Sequence, residues 1–158
     1  MADISVKLED NSKEIKDELA KAIEDVLFAW GTECVAGCVD KASEIDVETG
    51  RPTVDTGRYR AGFGFVTPRQ GVMSGTPAKE KGANDDFSGQ RAPKQTVIIA
   101  NNVEYAPYLE YGTGTKEGGH HARYIMRRGI ESKIDTMEKD MEQILKGENA
   151  SMKITGLY

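Results

Sequence analysis

The chain has 158 residues, a formal net charge of −5, 38% hydrophobic and 30% charged residues. That composition allows one modest core in one domain and leaves little apolar sequence for a second. It excludes a protein that coats DNA by neutralising phosphates, which needs an excess of Lys and Arg. With no run of about 18 apolar residues, it also gives no transmembrane helix.

The first residues, MADISVKLEDN, are too acidic and polar for a secretory signal. Synthesis in a cytoplasm is the simplest expectation. Ile4, Val6 and Leu8 alternate with Ser5 and Lys7, the pattern of a short strand with one buried face. Asn11-Ser12 then offers a helix N-cap, and Lys13 to about Ala42 reads as one long amphipathic helix. Its apolar stripe is Ile15, Leu19, Ile23, Val26, Trp30, Cys34 and Cys38, widened by Leu27 and Val35. Gly31 and Gly37 each weaken a helix by roughly 1 kcal/mol relative to alanine, so a bend or an early end is possible there. A helix of about thirty residues spans roughly 45 Å, longer than a domain of this size needs, so its ends are expected to meet something beyond the local core.

Glu48–Pro52 reads as a turn, and Val54-Asp55-Thr56-Gly57-Arg58 as a second turn capped by Asp55. Gly62-Phe63-Gly64-Phe65-Val66 is a strand with both phenylalanines on one face and glycines on the other, which suits close approach of another backbone. Residues 67–94 form a Gly- and Pro-punctuated excursion too long for an ordinary connection. Strand signal resumes at Gln95–Ala100, apolar on both faces, which places that strand centrally in a sheet. The two strands then make a hairpin with the excursion between its arms.

The densest aromatic stretch follows. Tyr105, Tyr108 and Tyr111 fall around Ala106-Pro107 and end on Gly112-Thr113-Gly114. Pro107 suits the first turn of a helix, and Gly112 a left-handed stop. Beyond the glycine-rich residues 116–120, Ala122 to about Lys146 reads as a second long helix, with Met126, Ile130, Ile134, Met137, Met141 and Leu145 as its stripe. One domain over residues 1–146 and a C-terminal arm over 147–158 result.

Three chemical readings compete with a structural one. Cys34, Cys38, His120 and His121 are zinc-type donors, but their spacing fits no zinc ribbon and the cysteines occupy core-stripe positions. Gly112-Thr113-Gly114-Thr115-Lys116 lacks the spacing of a phosphate-binding loop. Asp55, Glu104, Glu110, Lys116 and His121 would be needed for a metal-dependent nuclease, and charged residues beside turns are more often caps or surface pairs. No catalytic residue, cofactor or metal is therefore expected. Arg123, Arg127 and Arg128 open the second helix, where the macrodipole disfavours cations, so the cluster reads either as held by a partner, a carboxylate such as Glu110 or Asp55 or a phosphate, or as a solvated face.

Three motifs in order carry a resemblance. Val54-Asp55-Thr56-Gly57-Arg58 resembles a V-D-T-G-x-L-R stretch, Asn102–Thr113 resembles V-x-Y-A-x-x-x-E-x-G-T, and Ala122–Arg127 resembles A-R-P-F-[LM]-R. Together, over roughly Lys13 to Lys146, they resemble the gene-product-ten-like family of lambdoid phages, the neck or tail-completion proteins. The family's usual proline is Tyr124 here and its aromatic is Ile125.

The resemblance implies an α+β fold similar to tail terminators: a small antiparallel sheet packed by a long N-terminal helix and a C-terminal helix. It implies a structural virion protein, not an enzyme, made in the bacterial cytoplasm and placed at the head–tail junction. The protein would form a homo-oligomeric ring of roughly six or twelve copies, with head-to-tail contacts between unlike faces. Its further partners would be a head-closure, stopper or adaptor protein and a tail terminator or tail-tube protein. The ring would enclose DNA without reading its sequence; an acidic bore keeps DNA from sticking. The tail terminator itself is the alternative within this class, and a metal-dependent DNA-processing enzyme the remote one. The structural motif residues implied are Asp55, Thr56, Gly57, Arg58, Tyr105, Ala106, Pro107, Glu110, Gly112, Thr113, Arg123 and Arg127. Glu110 is expected to pair with Arg123 or Arg58. Contacts between subunits are expected in the excursion, at Arg69, Met73, Lys79, Phe87 and Arg91, and in the arm, at Met152, Ile154 and Tyr158.

Overall fold

The computed structural model describes residues 12–47, 50, 57–73, 87–114, 119 and 121–145. The expected strand at Ile4–Leu8, the Asp55-Thr56 turn, Lys79 and the C-terminal arm with Met152, Ile154 and Tyr158 lie outside them.

Helix α1 runs Ser12–Ser43 without interruption. The helix does not end at its glycines, both of which are close-approach positions. A Cβ on Gly31 would collide with the Phe65 ring, and one on Gly37 with the carbonyl oxygen of Gly129. A short helix α2, Gly57–Ala61, follows. Three strands, β1 Phe63–Val66, β2 Gly71–Met73 and β3 Ile98–Asn101, form an antiparallel sheet in the order β2-β1-β3. Phe65 lies opposite both Val72 and Ile99.

The sheet departs from expectation in one respect. Among the described residues the strand leading to Ala100 is an edge, and β1 is central, buried along its whole length. The excursion supplies the missing neighbour. Thr67-Pro68-Arg69-Gln70 turns β1 into β2, with the Thr67 hydroxyl accepting the N–H groups of Arg69 (3.2 Å) and Gln70 (3.1 Å). The apolar character of both faces of β3 reflects two cores, one on each side of the sheet. Ile99 packs with Val35, Cys38, Ala42, Tyr59, Phe63 and Phe65 beneath α1, and Ala100 with Val66, Phe87 and Ala92 on the far face. Phe87, 6% exposed, covers Gly64 and Gly71, where a side chain would strike it. Phe87, expected at a subunit contact, is thus buried against the sheet of its own subunit.

Helix α3 spans Ala106–Tyr111, with proline in its first turn and Gly112 (φ 74°) at its end. The single long C-terminal helix is in fact two, α4 Ile125–Glu131 and α5 Ile134–Leu145. The Ser132 hydroxyl donates to the Gly129 carbonyl (2.7 Å), and the Lys133 N–H reaches only three residues back, to Ile130 (3.0 Å). That tightened turn ends α4, yet the stripe continues through it. Ile125 is fully buried under α1, and Met137 of α5 meets Trp30 and Cys34 of α1. The class is α+β: a long helix, a small antiparallel sheet and C-terminal helices. No described helix is long and apolar enough to cross a membrane.

Candidate assembly surfaces

Several of the described motif residues meet at the junction between α3 and α4. Asn101 ties the stretch down first: its side-chain amide donates to the Tyr59 carbonyl (2.9 Å) and its Oδ1 accepts the Val103 N–H (3.0 Å). Tyr105 then stacks on Tyr59, with ring centroids 6.2 Å apart, and the Arg58 guanidinium lies 6.0 Å above the Tyr105 ring. Past the loop, residues 123 and 124 return to the last turn of α3. The Arg123 N–H donates to the Leu109 carbonyl (3.0 Å) and the Tyr124 N–H to the Glu110 carbonyl (3.2 Å). Both are carbonyls the ending helix leaves without an internal partner.

Glu110 closes this junction. Its side chain is buried, and its carboxylate accepts the N–H groups of Met126 (2.8 Å) and Arg127 (3.1 Å), the first turn of α4. A negative group there satisfies orphan donors and complements the helix dipole. The expected pairing of Glu110 with Arg123 or Arg58 is corrected accordingly. Backbone amides take both oxygens because Tyr124, in the left-handed region (φ 47°, ψ 42°), turns the start of α4 toward them. A proline at this position could not adopt that conformation or make that N–H bond.

The arginines find other acids. Arg123 Nε and His121 Nε2 each lie 3.4 Å from the Asp46 carboxylate, Arg128 pairs with Glu44 (2.7 Å), and Arg127 with Glu131 (2.9 Å). Lys41 and Arg128 together hold the Glu44 carboxyl below its ordinary range. Of these, Glu44, Asp46, His121, Arg123 and Arg128 line a cavity of about 240 Å³ between the end of α1 and the start of α4. Glu44 and Asp46 were missed in the sequence because they follow the last periodic residue of α1, where nothing but the fold brings them to the arginines.

The two cysteines are core thiols. Cys34 faces the Met137 sulfur, Cys38 donates to the Met126 carbonyl, and burial pushes the Cys38 thiol up to about 12. His121 is turned instead to Asp46. Of the excursion residues, Arg69 is exposed within 3.9 Å of Asp25, and Arg91 folds onto the carbonyls of Ser88 (2.8 Å) and Gln90 (2.6 Å).

Several apolar side chains stay uncovered among the described residues, Ile45, Val47 (98% exposed) and Ile98 among them. Ile15 (63% exposed) and Leu19 (51%) continue the α1 stripe beyond its core. Tyr108 and Tyr111 stand outward from α3, beside the exposed Tyr124. Tyr and apolar anchors of this kind are typical of surfaces that other proteins cover.

No curated protein and no solved structure is significantly similar to the chain. A family model described as "Bacteriophage HK97-gp10, putative tail-component" matches residues 7–112, more than half of the sequence. That span takes in α1, the sheet and the Glu110 helix, and the chain belongs to this HK97-gp10-like family of bacteriophage tail components.

Proposed function

We propose that this structural phage protein is a ring-forming neck or tail-completion component that joins the head connector to the tail around the DNA channel. The observation that carries this reading is the distribution of cover along α1. From Val26 onward the helix is buried by the sheet, α4 and α5, whereas Ser12–Lys21 is exposed on every side yet keeps its apolar stripe. A stripe with no partner among the described residues fits a surface that a neighbour completes. The cluster at Glu110 supports a rigid role: it is an interlocked backbone junction rather than an open set of reactive groups.

The partners proposed are further copies of the chain, a head-closure or adaptor protein, and a tail terminator or tail-tube protein. The test is native mass spectrometry of the full-length protein, alone and with each of those partners. Rings formed alone or with a head-closure protein support the neck reading. Rings formed only on the tail-tube protein favour a tail terminator. A monomer under every condition overturns both.

A further inference from the structure

The two ends of α1 carry surfaces of matching kind. At its start, the exposed Ile15 and Leu19 lie one turn apart on one face. Glu14 and Glu18, also exposed and one turn apart, border that pair on one flank, and Lys16 borders it on the other. The outer half of the helix is therefore an apolar ridge with an acidic edge. Just past the end of the helix, Ile45 and Val47 are exposed and form, with Ala122, the apolar lining of the cavity of about 240 Å³. The charged lining is basic on balance. Lys41, Arg123 and Arg128, together with the His121 imidazole, surround the Glu44 and Asp46 carboxylates. Arg128 gives Glu44 its Nη2 and keeps about half of its side chain in solvent, so its guanidinium has donors to offer a second carboxylate.

These surfaces cannot meet inside one subunit. Leu19 and Ser43 stand on one uninterrupted helix, roughly 36 Å apart along its axis. Val47, four residues beyond Ser43, folds back by no more than about 14 Å even when the chain is fully extended. At least about 20 Å therefore separates Leu19 from Val47 in the same chain. Any contact between the ridge and the cavity joins two copies.

We infer that the outer half of α1 docks on the cavity at the far end of α1 in the next copy of the chain, with Ile15 and Leu19 covering Ile45 and Val47 and with Glu14 and Glu18 facing Arg128 and His121. This rests on the ring reading above and names its contact. Charge selects the pairing: an acidic edge meets a basic rim, and each side brings an apolar pair for the other to cover. An amphipathic helix laid in a groove is also a general mode of recognition. Giving at one end of α1 and accepting at the other is the unlike-face contact that a closed ring requires. The exposed tyrosines of α3 are the competing surface, but Arg127 beside them is held by Glu131 of its own helix (2.9 Å).

The experiment is disulfide trapping in the full-length protein, under the conditions in which the wild type forms rings. Leu19→Cys and Val47→Cys, both at exposed positions, are made singly and together, and the native Cys34 and Cys38 are buried. On oxidation the double variant is expected to give a ladder of covalent oligomers up to the size of the ring. A mixture of the two single variants is expected to give covalent dimers and nothing larger, and neither single variant alone a cross-linked product. Charge exchange supplies the second reading: Glu18→Arg and Arg128→Glu are each expected to weaken assembly about tenfold, and the two together in one chain to restore it. Four results overturn the docking and leave the ring reading standing. They are rings without a ladder, Leu19→Cys cross-linked to itself, a ladder from Leu19→Cys combined with Tyr111→Cys, and slow alkylation of Leu19→Cys in the lone subunit, which would mean that its own chain covers the ridge. A wild type that never forms rings overturns both.

Discussion

The two halves of α1 share a period and differ in everything the period does not encode. From Val26 to Ala42 the helix is a core element, with Leu27, Cys34, Val35 and Cys38 buried and Gly31 and Gly37 admitting Phe65 and α4. From Ser12 to Lys21 the same kind of stripe stands in solvent. The lesson lies in the glycines. They occur only where another element must come close, so they mark the covered half from the sequence side, whereas Ile15 and Leu19 have no such companion. Packing holds the first half, and assembly is the role we assign to the second.

That contrast is broken most severely at its covered end. Phe65→Ala removes a fully buried ring between α1 and the sheet and is expected to cost about 3–5 kcal/mol, read as a loss of thermal stability or of folding altogether. Gly37→Ala is the sharper test. Alanine favours an isolated helix by roughly 1 kcal/mol, yet here its methyl would strike the Gly129 carbonyl, so a net loss of about 2 kcal/mol by chemical denaturation is expected. A stabilised Gly37→Ala protein would show that α1 and α4 do not meet there.

Glu110→Ala opens the α3–α4 junction. Two buried N–H groups lose their acceptor, and a loss of about 1–3 kcal/mol is expected, with faster hydrogen exchange at Met126 and Arg127. Glu110→Gln keeps one acceptor oxygen and is expected to lose less. Arg123→Ala, by contrast, leaves both amide bonds in place and is expected to leave exchange at Met126 and Arg127 unchanged.

Cys38 links burial to pH. Its thiol is held neutral up to about 12 in the folded state, whereas the unfolded chain ionises near its ordinary value of about 8.5. Above that value the unfolded state binds fewer protons, so this group's contribution is intact at lower pH and declines as pH rises from there toward 12. Alkylation at pH 8 is expected to label Cys34 and Cys38 only after denaturation. Labelling of the native subunit at the rate of a free thiol would contradict the packing of α1 on α4.

The smallest effect on the subunit is expected at the other end of the helix. Ile15→Ser with Leu19→Ser is expected to change its unfolding free energy by no more than about 0.5 kcal/mol, since neither side chain is covered. Assembly is where the same pair is expected to tell.

Much of this architecture was legible because local signals agreed with the fold. The α1 period, the glycine–phenylalanine alternation of β1 and the Pro107–Gly112 brackets of α3 each predict the element observed. What stayed hidden depends on encounters distant in sequence. The central place of β1 follows from β2, three residues announced only by Thr67-Pro68 in a stretch read as loop. The break at Ser132 leaves no gap in the apolar stripe, so periodicity runs through it. Glu110 was legible as a motif residue but not by partner: the sequence offered nearby arginines, and the fold supplies amides because of one left-handed tyrosine.

Hydrogen exchange along α1, in the isolated subunit and in its assembled form, tests the division of the helix most directly. The account predicts that residues 26–42 are protected in both, and that residues 12–21 exchange freely in the subunit and slow on assembly. Free exchange of residues 12–21 within a formed ring would contradict it, as would protection of that half in the lone subunit.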